Sequence, residues 1–342
     1  MLRLILTLVI LSPIALILLF QNQQFFNPVQ EISSPRPSPS PALTLKALPQ
    51  SKILQNNYHI FQTFNNCAPA ALSMALSYYG INVSQQSLGQ TLRPYQNSQG
   101  DNDDKSVTLE ELAEKSKEYN LIPYHRPNGN IELVKLFISY DIPIIARTLL
   151  RVNKDIGHYR VIKGYDEATK QLIQDDSMQG RNLRYSYEAF SILWQKFNFE
   201  FLALVPQGKQ QIAEAILGEY LDEKVAWQKA AQNAQKQLLN DPNNMTARFN
   251  LSVALYHTDD FQESVQEFEK VESQLPFRTL WYQIEPIQAY FELGNYQRVF
   301  HLTDRILNNY NRAFSELYLL RGEIYKKQGN LNRAKEEFEK AI

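Results

Sequence analysis

The single cysteine of this chain stands where a nucleophile would be activated. Cys67 is the only cysteine among 342 residues, and it opens the apolar segment "CAPAALSMALSYYG". The pattern predicts a helix that Gly80 ends. The backbone N–H groups of a first helical turn favour an anion, and a thiolate is an anion. Cysteine also packs as a small hydrophobe, so a core position is the plainer interpretation of Cys67 taken by itself.

A cysteine nucleophile requires a base, a group that orients the base, and hydrogen-bond donors for the oxyanion. Gln62 lies five residues before Cys67, near enough for its amide to reach back beside the thiol. His158 begins a predicted strand, "HYRVIKGYD", and the next predicted strand, "QLIQDD", ends in Asp175 and Asp176. In a hairpin of these two strands, one of the aspartates is expected to accept the Nδ1 proton of His158.

Three motifs in this order resemble those of the C39-like peptidases, bacterial relatives of the papain-like cysteine peptidases. The family pattern Q-x(4–5)-C-G-P-A corresponds to "QTFNNCAPA", H-[YW]-x-V-x-x-G-[YF]-D to "HYRVIKGYD", and N-D-P-x-x-G to "DDSMQG". The resemblance covers roughly residues 51–207. It implies that Cys67 is the nucleophile and His158 the base. It further implies that Asp176 orients the base and that Gln62 donates to the oxyanion.

Asp176 is preferred to Asp175 because its distance to Gly180 matches the D-P-x-x-G of the family. Successive side chains of a regular strand point to opposite faces, so only one aspartate is expected to face the imidazole, and the plain alternative is that both are solvated. Ala68 replaces the usual glycine and Ser177 the usual proline. Ala68 is unstrained if it is helical and strained if its φ must be positive.

The composition excludes several classes of function. Lys plus Arg is 35 and Asp plus Glu is 36, a balance that argues against a nucleic-acid partner. One cysteine excludes an intramolecular disulfide and a cysteine-based zinc site. The histidines at 59, 125, 158, 257 and 301 show no H-x-x-x-H spacing, so no metal and no cofactor are expected. His59 is an alternative base, although it lies on the far side of Gln62 from Cys67, and His125 and His257 are expected to be exposed.

The N-terminus is unlike the rest of the chain. Residues 1–20 carry one charge, Arg3, followed by an uncharged run of 17 residues from Leu4 to Phe20. This length favours an uncleaved transmembrane helix, with secretion after signal cleavage as the alternative. A positive flank stays cytoplasmic, so the remainder is expected to lie outside the cytoplasm. Residues 21–50 are rich in Pro and Ser and are predicted to be an extended linker.

Residues 51–207 are predicted to form an α+β domain, which the resemblance makes papain-like. Helices are expected at Cys67 to Tyr79 and in "SVTLEELAEKSKEYN", "NIELVKLFISYD" and "YSYEAFSILWQKF". Strands are expected in "IPIIARTLL", "HYRVIKGYD", "KQLIQDD" and "EFLALVP", with a turn over Gly164 to Thr169. Helices first and strands later are typical of the α+β class.

Residues 211–342 carry no strand pattern and are predicted to be an all-α array of tetratricopeptide repeats. Phe261, Tyr296 and Leu331 recur at intervals of 35 residues. Helix pairs are expected to begin near Met245, Leu280 and Ser315. Their helices should cross at Ser252, Ile287 and Gly322. No polar capping helix follows the last unit, which predicts a longer chain or a partner that covers this end.

Two functions fit these patterns. The first is a membrane-anchored, extracytoplasmic cysteine peptidase that cleaves peptide bonds through Cys67, His158 and Asp176. Its repeats would then bind a substrate or a protein partner. The second is an inactive peptidase-like scaffold that binds peptides or proteins through the repeats alone. The complete Gln, Cys, His and Asp set favours the enzyme.

Overall fold

The computed structural model describes residues 43–93, 106–309 and 311–341. The anchor predicted over residues 1–20 lies outside these residues, as does most of the linker predicted over 21–50. Among the residues that are described, no helix has both the length and the apolar character needed to cross a membrane. Residues 43–342 fall into one compact unit. The boundaries inferred at 51–207 and 211–342 stay predictions from the sequence.

A seven-stranded antiparallel sheet forms the centre of the first half of the chain. Six strands follow the order β2-β7-β3-β4-β5-β6, and β1 pairs with the far end of β4. The strands are β1 Ser51–Ile53, β2 Leu121–Arg126, β3 Ile144–Leu149, β4 Gly157–Asp166, β5 Gln171–Asp176, β6 Gly180–Ser186 and β7 Phe201–Pro206.

Helices cover both faces of this sheet, because neighbouring strand residues point to opposite sides. Ile145 and Val161 pack with α1, α2 and α3, whereas Ile144 and Ile162 pack with α4, α5 and α6. The two layers place two separate apolar cores on the sheet. The helices are α1 Cys67–Ser77, α2 Gln85–Leu92, α3 Leu109–Ser116, α4 Ile131–Ser139, α5 Tyr187–Trp194 and α6 Gln210–Leu217.

Local signals set several helix ends. Thr108 caps α3 through a capping box, in which its hydroxyl accepts from the Glu111 N–H and the Glu111 carboxylate accepts from the Thr108 N–H. The turn after α1 contains Gly80 at φ +73°, a left-handed conformation that glycine adopts without strain. Gly80 follows α1 as the sequence pattern predicted, and Thr108 with Glu111 three residues later is the sequence signature of a capping box.

The sequence missed the helix α2 and the strands β1, β2 and β6. The strand β6, "GRNLRYS", is polar and half-exposed along its length, so no alternation of apolar residues reveals it. Gly164 lies inside β4. The prediction of a turn that begins at Gly164 is therefore wrong. A Cβ on Gly164 would come within 2.7 Å of the Lys52 carbonyl oxygen, so glycine is required where β1 crosses close to β4.

The second half of the chain is helical, and no strand follows Pro206 in the part of the chain that the structure describes. Its helices share one continuous core that runs from Trp227 to Ile324. The helices are α7 Glu223–Asn240, α8 Met245–Tyr256, α9 Phe261–Glu269, α10 Thr279–Tyr282, α11 Glu285–Glu292, α12 Tyr296–Leu307, α13 Ser315–Lys327 and α14 Leu331–Lys340.

Small residues lie where paired helices approach closely, as the 35-residue interval predicted. The hydroxyls of Ser252 on α8 and Ser264 on α9 each donate to the other residue's backbone carbonyl at 2.7 Å. A Cβ on Gly322 would come within 2.4 Å of the Phe338 ring. Any larger side chain at position 322 would therefore push α13 and α14 apart.

The middle helix pair departs from the prediction because its first helix is broken. The helix begins at Thr279, ends at Tyr282 and resumes at Glu285, with Gln283 in an extended conformation. Pro286 explains the break, since it has no N–H to donate to the Tyr282 carbonyl and its ring clashes with that carbonyl. The Tyr282 carbonyl instead accepts a hydrogen bond of 2.6 Å from Arg147 Nη2 on β3.

Candidate active site

A short turn presents Cys67 at the first position of α1. The Asn66 N–H donates to the Thr63 carbonyl, and the Asn66 amide donates to the Thr63 hydroxyl at 2.8 Å. Asn65 takes the left-handed conformation that this turn needs, with φ +54°. Ala68 is helical, so the strain considered for that position does not arise. Cys67 is half-buried at the N-terminus of α1, the end of a helix that favours a thiolate.

His158 is held by Asp176 across the β4–β5 hairpin. The His158 Nε2 lies 2.9 Å from Asp176 Oδ1, and both side chains are buried. A carboxylate only accepts, so Nε2 carries the proton and Nδ1 carries the lone pair. The expectation that Asp176 binds Nδ1 is therefore wrong in the choice of nitrogen. The ring contacts the carboxylate through the nitrogen farther from the backbone.

Asp176 keeps its negative charge in this buried position. Burial raises the pKa of Asp176, but the hydrogen bond from His158 and the positive charges of His158 and Arg160 outweigh burial and hold that pKa at about 2. The Arg160 Nε lies 3.3 Å from Asp176 Oδ2. The backbone N–H groups of Met178 and Gln179 also donate to Asp176 Oδ1, at 2.7 and 2.9 Å.

Arg160 was missed in the sequence, although its spacing could have revealed it. It follows His158 by two residues on β4 and pairs with Asp176 across the hairpin, so both contact the same carboxylate. Burial lowers the pKa of the His158 imidazole, and the charge of Arg160 lowers it further, whereas Asp176 raises it. The net effect is to lower the pKa of the His158 imidazole below its ordinary value.

Asp175 points to the opposite face of β5. Its carboxylate forms a buried ion pair of 2.8 Å with Lys163 and accepts a hydrogen bond of 2.8 Å from the Asn182 N–H. The plain expectation that both aspartates are solvated is wrong, because Asp175 and Asp176 are each at most 1% exposed. Alternation along the strand gives the two acids different partners.

Gln62 is fixed by Ser177, the residue that follows Asp176. The Gln62 N–H donates to the Ser177 carbonyl at 2.9 Å, and the Ser177 hydroxyl donates to Gln62 Oε1 at 2.8 Å. With Oε1 occupied in this way, the Gln62 Nε2 is the end of the amide left to donate elsewhere. The serine that stands for the family proline thus has a contact that proline could not make.

His59 does not take the place of His158. Its Nε2 donates to the backbone carbonyl of Asp176 at 3.0 Å, and its ring packs edge-on against Phe61. His125 and His257 are half-buried, which corrects the expectation that they are exposed. The first lies 3.2 Å from Glu200, and the second stacks on Trp227. Among the described residues, no group of three acids, histidines or cysteines could hold a metal ion.

The structure brings three of the four sequence-derived site residues to one cavity of about 580 Å³. Asp176 lies behind it, against His158. The rim is largely apolar, and two residues of the helical half complete it. The cavity is lined by Gln62, Thr63, Phe64, Asn65, Cys67, Ala68, Ser106, Val107, Ile156, Gly157, His158, Met178, Arg278 and Tyr282.

This arrangement of a helix-terminal cysteine, a strand-borne histidine and a buried aspartate agrees with comparison to known families. Residues 46–201 match the Peptidase_C39 like family. Residues 315–342 match the tetratricopeptide repeat. The resemblance drawn from the motifs is confirmed, and the chain carries a C39-like peptidase domain followed by tetratricopeptide repeats. No curated protein matches the chain.

Solved structures of cysteine peptidases resemble the C39-like part. A protein described as a C39-like peptidase from Bacillus anthracis is 17% identical, with a TM-score of 0.38 over 46% of this chain and 99% of that chain. A double glycine motif protease from an AMS/PCAT transporter, solved with the leader peptide, is 16% identical, with a TM-score of 0.35 over 46% and 95%. Xylellain, a cysteine protease from Xylella fastidiosa, is 12% identical, with a TM-score of 0.37 over 48% and 91%.

Proposed function

We propose that this chain is a cysteine peptidase in which Cys67 attacks peptide bonds, His158 acts as base and acid, and Asp176 orients His158. The observation that carries the proposal is the shared cavity. Cys67 at the N-terminus of α1 and His158 on β4 line the same space, and a buried carboxylate holds the histidine from behind. The match of residues 46–201 to the C39-like family supports the same reaction class.

The geometry suggests the first half of the reaction. With Nε2–H donated to Asp176, the lone pair on His158 Nδ1 accepts the Cys67 proton. The thiolate adds to the peptide carbonyl carbon, and the electron pair of the C=O bond moves onto oxygen. The Gln62 amide stabilises this oxyanion. The imidazolium then returns the proton to the leaving amine as the C–N bond breaks, which leaves a thioacyl-enzyme.

Water completes the cycle through the same groups. His158 removes a proton from water, and the resulting hydroxide adds to the thioester carbon. The oxyanion again falls within reach of Gln62. The oxyanion collapses with cleavage of the C–S bond, the carboxylic acid product leaves, and the imidazolium returns its proton to the Cys67 sulfur.

The proposal also includes a place in the cell. The uncharged run from Leu4 to Phe20 supports an N-terminal membrane anchor, and Arg3 supports a catalytic domain outside the cytoplasm. Release after signal cleavage is the alternative. The repeats are proposed to bind a peptide or protein, the usual role of such arrays.

Alkylation of Cys67 tests whether its thiol is activated. Iodoacetamide uptake reports Cys67 alone, because the chain has no other cysteine. We expect the folded protein to react with an apparent pKa clearly below the unperturbed value of about 8.5, since the helix terminus and a nearby base favour the thiolate. The same protein unfolded in urea should react with an apparent pKa of about 8.5.

Turnover provides the companion measurement. Hydrolysis of a fluorogenic peptide library by the folded protein should stop when iodoacetamide has modified one thiol per molecule. A folded protein whose Cys67 titrates as in urea, and which cleaves nothing, would instead be the peptide-binding scaffold considered above.

Ser177→Ala tests the orientation of the Gln62 amide. Removal of one oxyanion donor costs about 10²–10³ in turnover, so loss of the group that only orients the donor should cost about tenfold. We expect kcat to fall with little change in KM, because the oxyanion exists only after attack. Gln62→Ala is the reference, and adding Ser177→Ala to it should cost nothing more. If Ser177→Ala lowers kcat by the same factor with and without Gln62→Ala, the two residues do not share a role.

A further inference from the structure

A segment of the repeats forms one wall of the candidate active-site cavity. Arg278 and Tyr282 line the same space as Cys67 and His158, although they belong to the helical half of the chain. We call residues 278–282 the repeat wall. The helical half therefore contributes residues to the cavity where a peptide would meet the thiol.

Three contacts from the C39-like part fix the repeat wall. The Arg278 N–H donates to Asp155 Oδ2 at 2.6 Å, and Arg147 donates to the Tyr282 carbonyl at 2.6 Å. A Cβ on Gly157 would lie 3.2 Å from the Tyr282 ring, so this ring packs directly on the backbone that precedes His158. Backbone and buried contacts of this kind hold the wall at a set distance from His158.

Arg278 brings a positive charge to the cavity from the helical half of the chain. Among the described residues that line the space, it is the one side chain with a permanent charge. Its guanidinium lies 5.2 Å from the centre of the Trp281 ring, which orients its plane, and no carboxylate within the described ranges forms an ion pair with it. A guanidinium placed in this way matches a carboxylate, which it binds through two parallel hydrogen bonds.

The rest of the rim suits an apolar side chain. Phe64, Ile156 and Met178 line the cavity and are 64%, 39% and 50% exposed. A cluster of exposed apolar residues around a cleft is typical of a binding surface. A bound peptide would thus meet apolar contacts beside the thiol and the Arg278 cation on the repeat side.

We propose that Arg278 binds a carboxylate of the peptide substrate, so that the repeats select acidic peptides for Cys67. This inference rests on the proposed peptidase function and adds the substrate class to it. The carboxylate has two possible sources, an Asp or Glu side chain and the C-terminus of a short peptide. A side chain would fix an acidic residue at one distance from the cut, and a C-terminus would fix the distance of the cut from the chain end.

Cleavage-site profiling distinguishes these sources. The full chain is incubated with a synthetic library of randomised decapeptides, prepared with free and with amidated C-termini, and the products are sequenced by mass spectrometry. We expect Asp and Glu to be enriched about tenfold at one position, the size that one charge-assisted hydrogen bond to the substrate supports. Preference for the free C-terminus without such enrichment would assign the carboxylate to the chain end. If the products show neither preference, the proposal is overturned.

Variants of Arg278 link the preference to this side chain. Arg278→Gln should abolish the preference, Arg278→Lys should retain part of it, and Arg278→Glu should favour Lys and Arg in its place. The anchor to Asp155 uses the backbone N–H, so these changes leave it intact. Lys236→Glu on the exposed surface of α7 is the matched charge reversal, and it should leave the wild-type preference unchanged. Retention of the acidic preference in Arg278→Gln would overturn the assignment.

A binding measurement separates this inference from the proposed reaction. The Cys67→Ala protein is immobilised and used to capture peptides from the same library, with and without Arg278→Gln. Arg278-dependent capture of acidic or free C-terminal peptides by the Cys67→Ala protein, together with no turnover by the wild-type chain, would retain the inference and reject the peptidase. Turnover by the wild-type chain without any carboxylate preference would do the reverse.

Discussion

Asp176→Asn is expected to slow peptide hydrolysis by up to about 10⁴-fold, the loss seen when a hydrolase triad loses its orienting acid. The substitution removes the negative charge that holds His158 Nε2–H and opposes the charge of Arg160. Cys67→Ala should cost more, about 10⁶-fold, because it removes the nucleophile itself. Rates are measured on the fluorogenic library per mole of folded protein. The folded fraction of each variant is measured by circular dichroism.

Asp175→Asn is the matched control for that measurement. It makes the same chemical change one residue away, on the opposite face of β5, where the side chain contacts Lys163 and not His158. Its turnover per folded molecule should remain near that of the wild type. A crippled Asp175→Asn beside an unaffected Asp176→Asn would reverse the assignment of the two acids, and two unaffected variants would remove the third member of the triad.

Asp175→Asn should nevertheless destabilise the fold by about 3–5 kcal/mol. Asp175 and Lys163 form an ion pair in which the side chains are 1% and 2% exposed. Removing one partner of a buried pair leaves the other charge without compensation, which is far costlier than loss of an exposed pair. Urea unfolding at neutral pH measures the change as a lower midpoint with a constant slope.

The double variant Asp175→Asn with Lys163→Met identifies the cause. It removes the stranded ammonium and replaces it with an apolar side chain of similar length, so most of the lost stability should return. The Asn182 N–H keeps an oxygen acceptor in either variant, which leaves the charge as the variable. If the two substitutions simply add, the instability has another origin than the buried lysine.

The sequence predicted the candidate site better than it predicted the surroundings of that site. The order of the motifs assigned Cys67, His158, Asp176 and Gln62, and the structure brings them around one cavity. The resemblance of three motifs to those of the C39-like peptidases supplied this assignment, and the spacing from Asp176 to Gly180 chose between the two aspartates. The wrong ring nitrogen of His158 shows the limit, since a rotamer depends on packing that no local pattern encodes.

Contacts between distant segments were out of reach of any pattern. The hydrogen bond from Ser177 to Gln62 and the packing of Tyr282 on Gly157 join residues far apart in the chain. The helix break is different, because Pro286 in the printed sequence interrupts an otherwise helical repeat. That proline could have predicted the break. It could not have predicted that Arg147 donates to the Tyr282 carbonyl, to which Pro286 has no N–H to donate.

The broken helix also restricts how this chain could be recombined with others. Domains are most easily recombined at a linker that few contacts cross. A chimaera joined between the C39-like domain and the helical half would remove the Tyr282 carbonyl. Arg147, a buried arginine whose guanidinium donates to that carbonyl, would then lose this acceptor. The grafted array would have to supply both a helix interrupted by proline and a backbone N–H that donates to Asp155. If Arg278 sets the carboxylate preference as proposed, a chimaera would inherit that preference only when the C39-like domain and the helical half come from the same chain.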